Sequence, residues 1–192
     1  MAESLEMAQE SIEHAHHMAE HEGNMGARKI ALLIASLAAA LALAEMGEKS
    51  SQNAYLTYHI TASDDWAFYQ AKNLLSQIYI THADTLASLP NAADPAIGKL
   101  VTEARAEAKR LDDDEKTSGR KQLRVKAQEQ ERERDHAFHR YHLFEIVVGA
   151  LQLAIVLASV SVVTGVVAMT AVSGIIGGGA ALFALLLALG IF

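Results

Sequence analysis

Cysteine is absent from the 192 residues, which excludes disulfides, thiolate metal sites and a cysteine nucleophile but leaves the compartment open. Proline occurs only at Pro90 and Pro95, so one proline-marked turn is expected. Basic charge is in deficit, with 16 Lys and Arg against 23 Asp and Glu for a formal net charge of -7. Without a phosphate-neutralising surface, no nucleic-acid partner is expected. Charge of either sign is missing from residues 146–192. At about 1.5 Å of rise per residue this run makes about 70 Å of apolar helix, twice the ~30 Å hydrocarbon core of a bilayer, which predicts two successive transmembrane helices.

The charge that is present lies in blocks. Residues 1–29 hold six Glu against Arg28 and Lys29, residues 45–145 hold 17 acids and 14 bases, and residues 30–44 hold none. Membrane and water therefore sort the chain. Residues 1–29 form a His- and Glu-rich segment in which Leu5, Ala8, Ile12, Ala15 and Ala19 recur at helical spacing, a thin stripe that suits a short surface helix or a frayed end. The uncharged run IALLIASLAAALALA predicts a first transmembrane helix over 30–46. Its 15 residues span only about 22 Å, and snorkelling by Arg28 and Lys29 or local bilayer thinning makes up the difference. A cleaved secretory signal is the rival reading, since Ala42, Leu43 and Ala44 form an A-x-A site; the six preceding Glu oppose it.

Residues 47–142 predict an extramembrane helical hairpin with its tip at 89–95, where LPNAADPA offers Asp94 as N-cap and Pro95 as first helical residue. Ala67, Ala71, Leu74, Ile78, Thr81 and Thr85 mark the expected inner face of the incoming arm. Ile97, Leu100 or Val101, Ala104, Ala108 and Leu111 mark that of the outgoing arm, followed by Leu123, Ala127 and Phe138. Together they suit an antiparallel coiled coil. DDDEKTSG at 112–119 lacks the spacing of a calcium loop and reads as a kink weakest at Gly119. EQERERDH at 129–136 reads as a solvated helix with pairs Glu129–Arg132 and Glu131–Arg134.

Residues 143–192 predict two closing transmembrane helices with a turn near 164–166. Ala150, Ala154 and Ala158 in one, and Gly174 with Gly178 in the other, are candidate helix-packing positions, since small residues let backbones approach closely in lipid. The expected fold is thus all-α: an integral membrane protein of three transmembrane helices, with a long antiparallel helical hairpin between the first and second.

The most distinctive string is HITASDDWAFYQAK at 59–72. Physically, Ser63 or Asp64 suits an N-cap with Asp65 in the first turn, and Trp66, Phe68 and Tyr69 suit anchors against the return arm. Asp65, Trp66, Tyr69, Gln70 and Lys72 are also the candidate interaction residues for a ligand or partner. With this string, the chain resembles the domain of unknown function 4337 family over most of residues 10–165. The likeness covers a His- and Glu-rich N-terminus, one span, SDDWAFYQAK, a charged hairpin, a HAFHRYHLFE-like return to the membrane and two closing spans. The resemblance implies a bacterial inner-membrane protein with no assigned activity, its N-terminus cytoplasmic and its hairpin periplasmic. Family members carry a basic cluster between the last two spans, and SVVTGVVAMT here has none. A bare count of flanking Lys and Arg points the other way, but the hairpin exceeds the ~60 residues over which that count is reliable.

His14, His17 and His21 are the candidate metal ligands, a site for a divalent ion such as Zn²⁺ or Ni²⁺ on one helix face, or a pH sensor. A solvated polar face is the simpler reading of them. His136, His139 and His142 lie beside the membrane surface, where headgroups or Glu145 are their expected partners. No HExxH, Gly-rich phosphate cradle or nucleophile motif occurs, so neither a resident cofactor nor enzymatic activity is expected. The expected function is a membrane scaffold or accessory subunit that acts by oligomerisation or by binding another membrane protein. The alternatives are a homo-oligomeric channel, lined by residues such as Ser36, Gln152, Ser159, Ser161, Thr164, Thr170 and Ser173, or a sensor working through the N-terminal histidines.

Overall fold

Between Met25 and Ala87 there is no proline and only two glycines, Gly26 and Gly47, and the chain forms one uninterrupted helix, α1 (Met25–Ala87). This computed structural model describes residues 10, 13, 25–114, 116 and 118–191. After α1 the chain turns through 88–94, with backbone bonds such as Ala92 N–H to Leu89 O at 3.0 Å. Helix α2 (Pro95–Asp112) then begins as its sequence dictates: Asp94 Oδ1 accepts from Ala96 N–H at 2.8 Å, and Pro95 occupies the first turn where no donor is needed. Helix α3 (Arg120–Thr164) follows a break in which Ser118 has φ +56°. A Cβ on Gly119 would lie 2.5 Å from the Asp114 backbone nitrogen, so only glycine fits there. Gly165, in the left-handed region at φ +70°, separates α3 from α4 (Val167–Ala188).

The described residues are all-α. Stretches of α1, α3 and α4 are each long and apolar enough to cross a membrane. The chain divides into two units: the described residues up to Asn53 together with those from Ala137 onward, and Ala54–His136.

In the first unit, Ile34, Leu37, Leu41 and Ala44 of α1 form a core with Phe144, Val147, Leu151, Ala154 and Ala158 of α3 and Leu187 of α4. Close approach is achieved with small residues. Gly177 is buried where a Cβ would sit 2.3 Å from Leu37 and 3.1 Å from Ala154, and Ser173 Oγ donates to the Ala154 carbonyl at 2.6 Å.

In the second unit, the buried positions of α1 are Ala62, Asp65, Ser76 and Ala83, with Tyr58, Tyr69, Lys72, Tyr79 and Leu86 half-buried. They recur at intervals of three and four. The expected inner face is therefore corrected, because Ala67, Ala71, Leu74, Ile78, Thr81 and Thr85 are all exposed. The physical reason is seam width: Ala and Ser opposite Ala104, Ala108 and Ala127 allow a narrow, close contact, which selects for size more than for hydrophobicity. On the return side the pattern is as read for Val101, Ala104, Ala108, Leu111, Leu123 and Ala127, whereas Leu100 is exposed; Phe138, expected to continue this face, belongs to the first unit and is exposed, while its neighbour Ala137 is buried. Pairings fall in inverse order along the chain. Asp84 meets Arg105 at 3.3 Å, Ser76 Oγ donates to the Ala108 carbonyl at 3.3 Å, Asn73 accepts from Arg120, and Asp65 meets Lys126 at 3.0 Å.

Candidate functional site

The SDDWAFYQAK string lies inside α1, so the expected helix start at Ser63 or Asp64 is corrected: both are exposed mid-helix residues. No proline precedes them, and a capping residue has no orphan N–H to satisfy when about ten helical turns are already formed before it. Helical spacing then separates the string's side chains by face. Asp65, Tyr69 and Lys72 follow the buried stripe, while Phe68 and Gln70 point outward, Phe68 with 62% of its surface exposed.

Asp65 is 4% exposed. Its Oδ1 accepts from Lys126 Nζ at 3.0 Å, while Oδ2 is buried without a hydrogen-bond partner among the described residues. Trp66 Nε1 donates to Glu131 Oε1 at 3.1 Å, and its ring meets Tyr69 edge-on with centroids 5.4 Å apart. Lys72 Nζ donates to the Ser118 carbonyl at 2.6 Å, beside Arg120, which donates to Asp112 Oδ1 at 2.9 Å and to Asn73. The string thus contributes one half of a set of polar ties whose other half is Lys126, Glu131, Ser118 and Arg120. Sequence reading missed those partners. The signal for them was the pair of charged residues, Asp65 and Lys72, standing on an otherwise uncharged stripe, since a charge in such a place needs a counter-group opposite.

Glu131 serves Trp66, so the expected pair with Arg134 is replaced: Arg134 meets Asp135 at 2.7 Å, while Arg132 does pair with Glu129. The kink is also tied by its acids. Asp113 accepts from Gln122 at 2.7 Å and Lys121 at 3.1 Å, and those bonds hold its carboxyl below the usual range.

A second polar group belongs to the first unit. Burial, followed by the charges of Glu145 and Glu45, pushes the Glu48 carboxyl above its ordinary pKa. The charge of Glu145, with smaller contributions from burial and Glu48, raises the Tyr141 phenol. His142 Nδ1 lies 2.8 Å from Glu145 Oε2, and its ring meets Phe138 with centroids 4.4 Å apart. His136, His139 and His142 are exposed. Among the described residues no group of three His, Asp or Glu has the geometry to hold a metal ion. The candidate ligands His14, His17 and His21 lie outside the described residues.

The small-residue positions separate into two sets. Ala154 and Ala158 are fully buried and Ala150 is half-buried. Gly174 and Gly178 face open space, and the close contact on α4 is made instead through Ser173 and Gly177. An apolar cavity of about 510 Å³ lies between α1, α3 and α4, lined by Ala40, Leu43, Met46, Phe144, Ala184 and Ala188 among others.

No curated protein and no solved structure matches the chain. The family model described as Domain of unknown function (DUF4337) matches residues 26–190, and the chain belongs to that family.

Proposed function

We propose that this protein is a non-enzymatic scaffold or accessory subunit of a bacterial inner membrane. In this reading three transmembrane helices anchor a long antiparallel hairpin, a coiled coil that contacts another copy or another membrane protein. The N-terminus is cytoplasmic and the hairpin periplasmic. The observation that carries the reading is how the polar side chains are used. Asp65, Trp66, Lys72 and Arg120 are engaged in tying helix to helix, an arrangement that makes a stiff rod and leaves its outer faces for recognition. Hydroxyls within the apolar stretches favour the same reading over a channel. Ser36 donates to Leu32 O, Ser159 to Ile155 O, Thr164 to Val160 O and Ser173 to Ala154 O, which quenches groups that would otherwise line a pore.

The test is purification of the tagged full chain, extracted gently from its own membrane, with every co-purifying chain identified. A stoichiometric second protein makes it an accessory subunit and a discrete homo-oligomer a self-scaffold; a lone monomer sinks the reading. Orientation is tested separately with Asn91→Cys, an exposed position at the turn in a chain without cysteine. An impermeant maleimide should label it on intact cells. Labelling only after lysis would place the hairpin in the cytoplasm.

A further inference from the structure

Helix α1 carries a second stripe in the second unit, and among the described residues nothing covers it. Thr57, Ile60, Asp64, Ala67, Ala71, Leu74, Ile78, Thr81 and Thr85 follow one another at intervals of three and four, the spacing of a coiled-coil seam. Ile60 is 60% exposed, Leu74 64% and Ile78 54%, with Phe68 and Leu75 exposed at the margin. This face is more apolar than the one α1 buries against its own chain. A helix in water ordinarily carries charge opposite its buried face, and a helix apolar on both sides is covered on both sides.

We infer that this stripe is a homodimer seam, occupied by the same stripe of a second copy running parallel to it. The inference deepens the scaffold reading and rests on its membrane anchor, because two copies inserted in one membrane in one orientation present α1 in the same direction. In a parallel two-fold pair each residue faces its own counterpart, so any charge in the seam meets a like charge. That rule matches the composition. Asp64 is the one charged residue among the nine stripe positions, and of the marginal residues Thr61, Phe68, Gln70, Leu75, Gln77 and Asp84 only the last, at the end of the stripe, is charged. A heterologous partner held by charge would leave several complementary charges on this margin, whereas its one charged residue, Asp84, is paired with Arg105 of the same chain. The size also suffices: residues 57–85 make a strip about 43 Å long and about 12 Å wide, about 500 Å² on each copy, which reaches the ~1,000 Å² total of a specific interface.

Single cysteines introduced into the full chain, which has none of its own, test the seam in native membranes under mild oxidation. Ala71→Cys, Leu74→Cys and Ile78→Cys should form symmetric disulfide dimers, while Ile80→Cys, exposed on another face of α1, and Val125→Cys, exposed on the return side, should form at least tenfold less. Equal membrane abundance of all five variants shows that each folds. Asp64→Asn, by removing the like-charge pair, should raise dimer yield about twofold. Cross-linking without this periodicity, or an Asp64→Asn variant that dimerises less, overturns the inference. Cross-linking of the three face positions to a different protein also overturns it but leaves the scaffold reading standing. No covalent partner at any position, with a monomer on gentle extraction, removes both.

Discussion

Residues 54–83 of α1 contain three charged side chains in 30, whereas residues 95–136, which pack against them, contain 21 in 42. Both sides of the second unit bury a narrow stripe that is mostly uncharged, so the contact between them does not explain the difference. Their outer faces do. The return side surrounds its stripe with pairs such as Lys99–Glu103, Arg110–Glu107 and Lys121–Asp113, the solvated surface of a helix in water. The α1 side spends two of its three charges, Asp65 and Lys72, on its own chain and leaves Leu74, Ile78 and Phe68 uncovered. Composition thus distinguishes the two outer faces, one rich in ion pairs and the other apolar, and the inferred dimer seam rests on that distinction.

The contrast can be broken most severely from within. Lys126→Met leaves the Asp65 carboxylate buried without its counter-charge and should destabilise the second unit by about 3 kcal/mol, read as a lowered thermal midpoint of the extracted protein. Gln70→Ala, in the same string but exposed, should change stability by less than about 0.5 kcal/mol. If both substitutions have equal effects, the ties described around Asp65 do not hold the unit together.

Overpacking supplies the next largest effect, in the first unit. Gly177→Leu forces atoms into Leu37 and Ala154 and should cost about 2 kcal/mol, while Gly174→Leu meets open space and should leave the unfolding midpoint within about 1 °C of wild type. Equal losses at the two glycines would contradict the assignment of Ser173 and Gly177 as the close contact.

Across the two outer faces, Ile78→Glu should weaken self-association at least tenfold, about 1.4 kcal/mol or more, by placing like charges opposite each other at the seam. Val125→Glu, 66% exposed on the return side, should leave it unchanged. Sedimentation of the detergent-extracted chain reads both.

How much of this was legible in the sequence follows from the same contrast. Apolar runs, the Asp94–Pro95 helix start and the Gly165 turn were readable because each rests on local chemistry: transfer of side chains into lipid, an orphan N–H, a left-handed backbone. The buried stripe of α1 was not, because Tyr58, Ala62, Asp65, Tyr69, Lys72, Ser76 and Ala83 form the less hydrophobic of two stripes with identical spacing. Hydrophobicity selected the outer face and size selected the inner one. The cap expected at Ser63 or Asp64 failed for a related reason, since a capping residue type marks a helix start only where the helix actually begins. In the candidate string, Asp65, Trp66 and Lys72 were identifiable as special, but their partners 46 to 65 positions away carry no local mark.

The smallest expected effect is a pH dependence in the first unit. Glu48 has its pKa raised in the folded state, so the folded chain holds that proton more tightly than the unfolded one. Stability should therefore fall as pH rises from the ordinary carboxyl value through the raised one, and Glu48→Gln should flatten the slope over that interval. A thermal midpoint with the same slope in both proteins would show that Glu145 and Glu45 do not act on Glu48.

The measurement that bears most directly on the contrast between the two faces is the native mass of the full 20.7 kDa chain in lipid nanodiscs, wild type beside Ile78→Glu. A dimer, or a multiple of one, that falls to a monomer in the variant is the predicted result. A wild-type chain that is monomeric in lipid, or an oligomer of the same mass in both proteins, would contradict the assignment of the exposed α1 stripe as the face that meets protein.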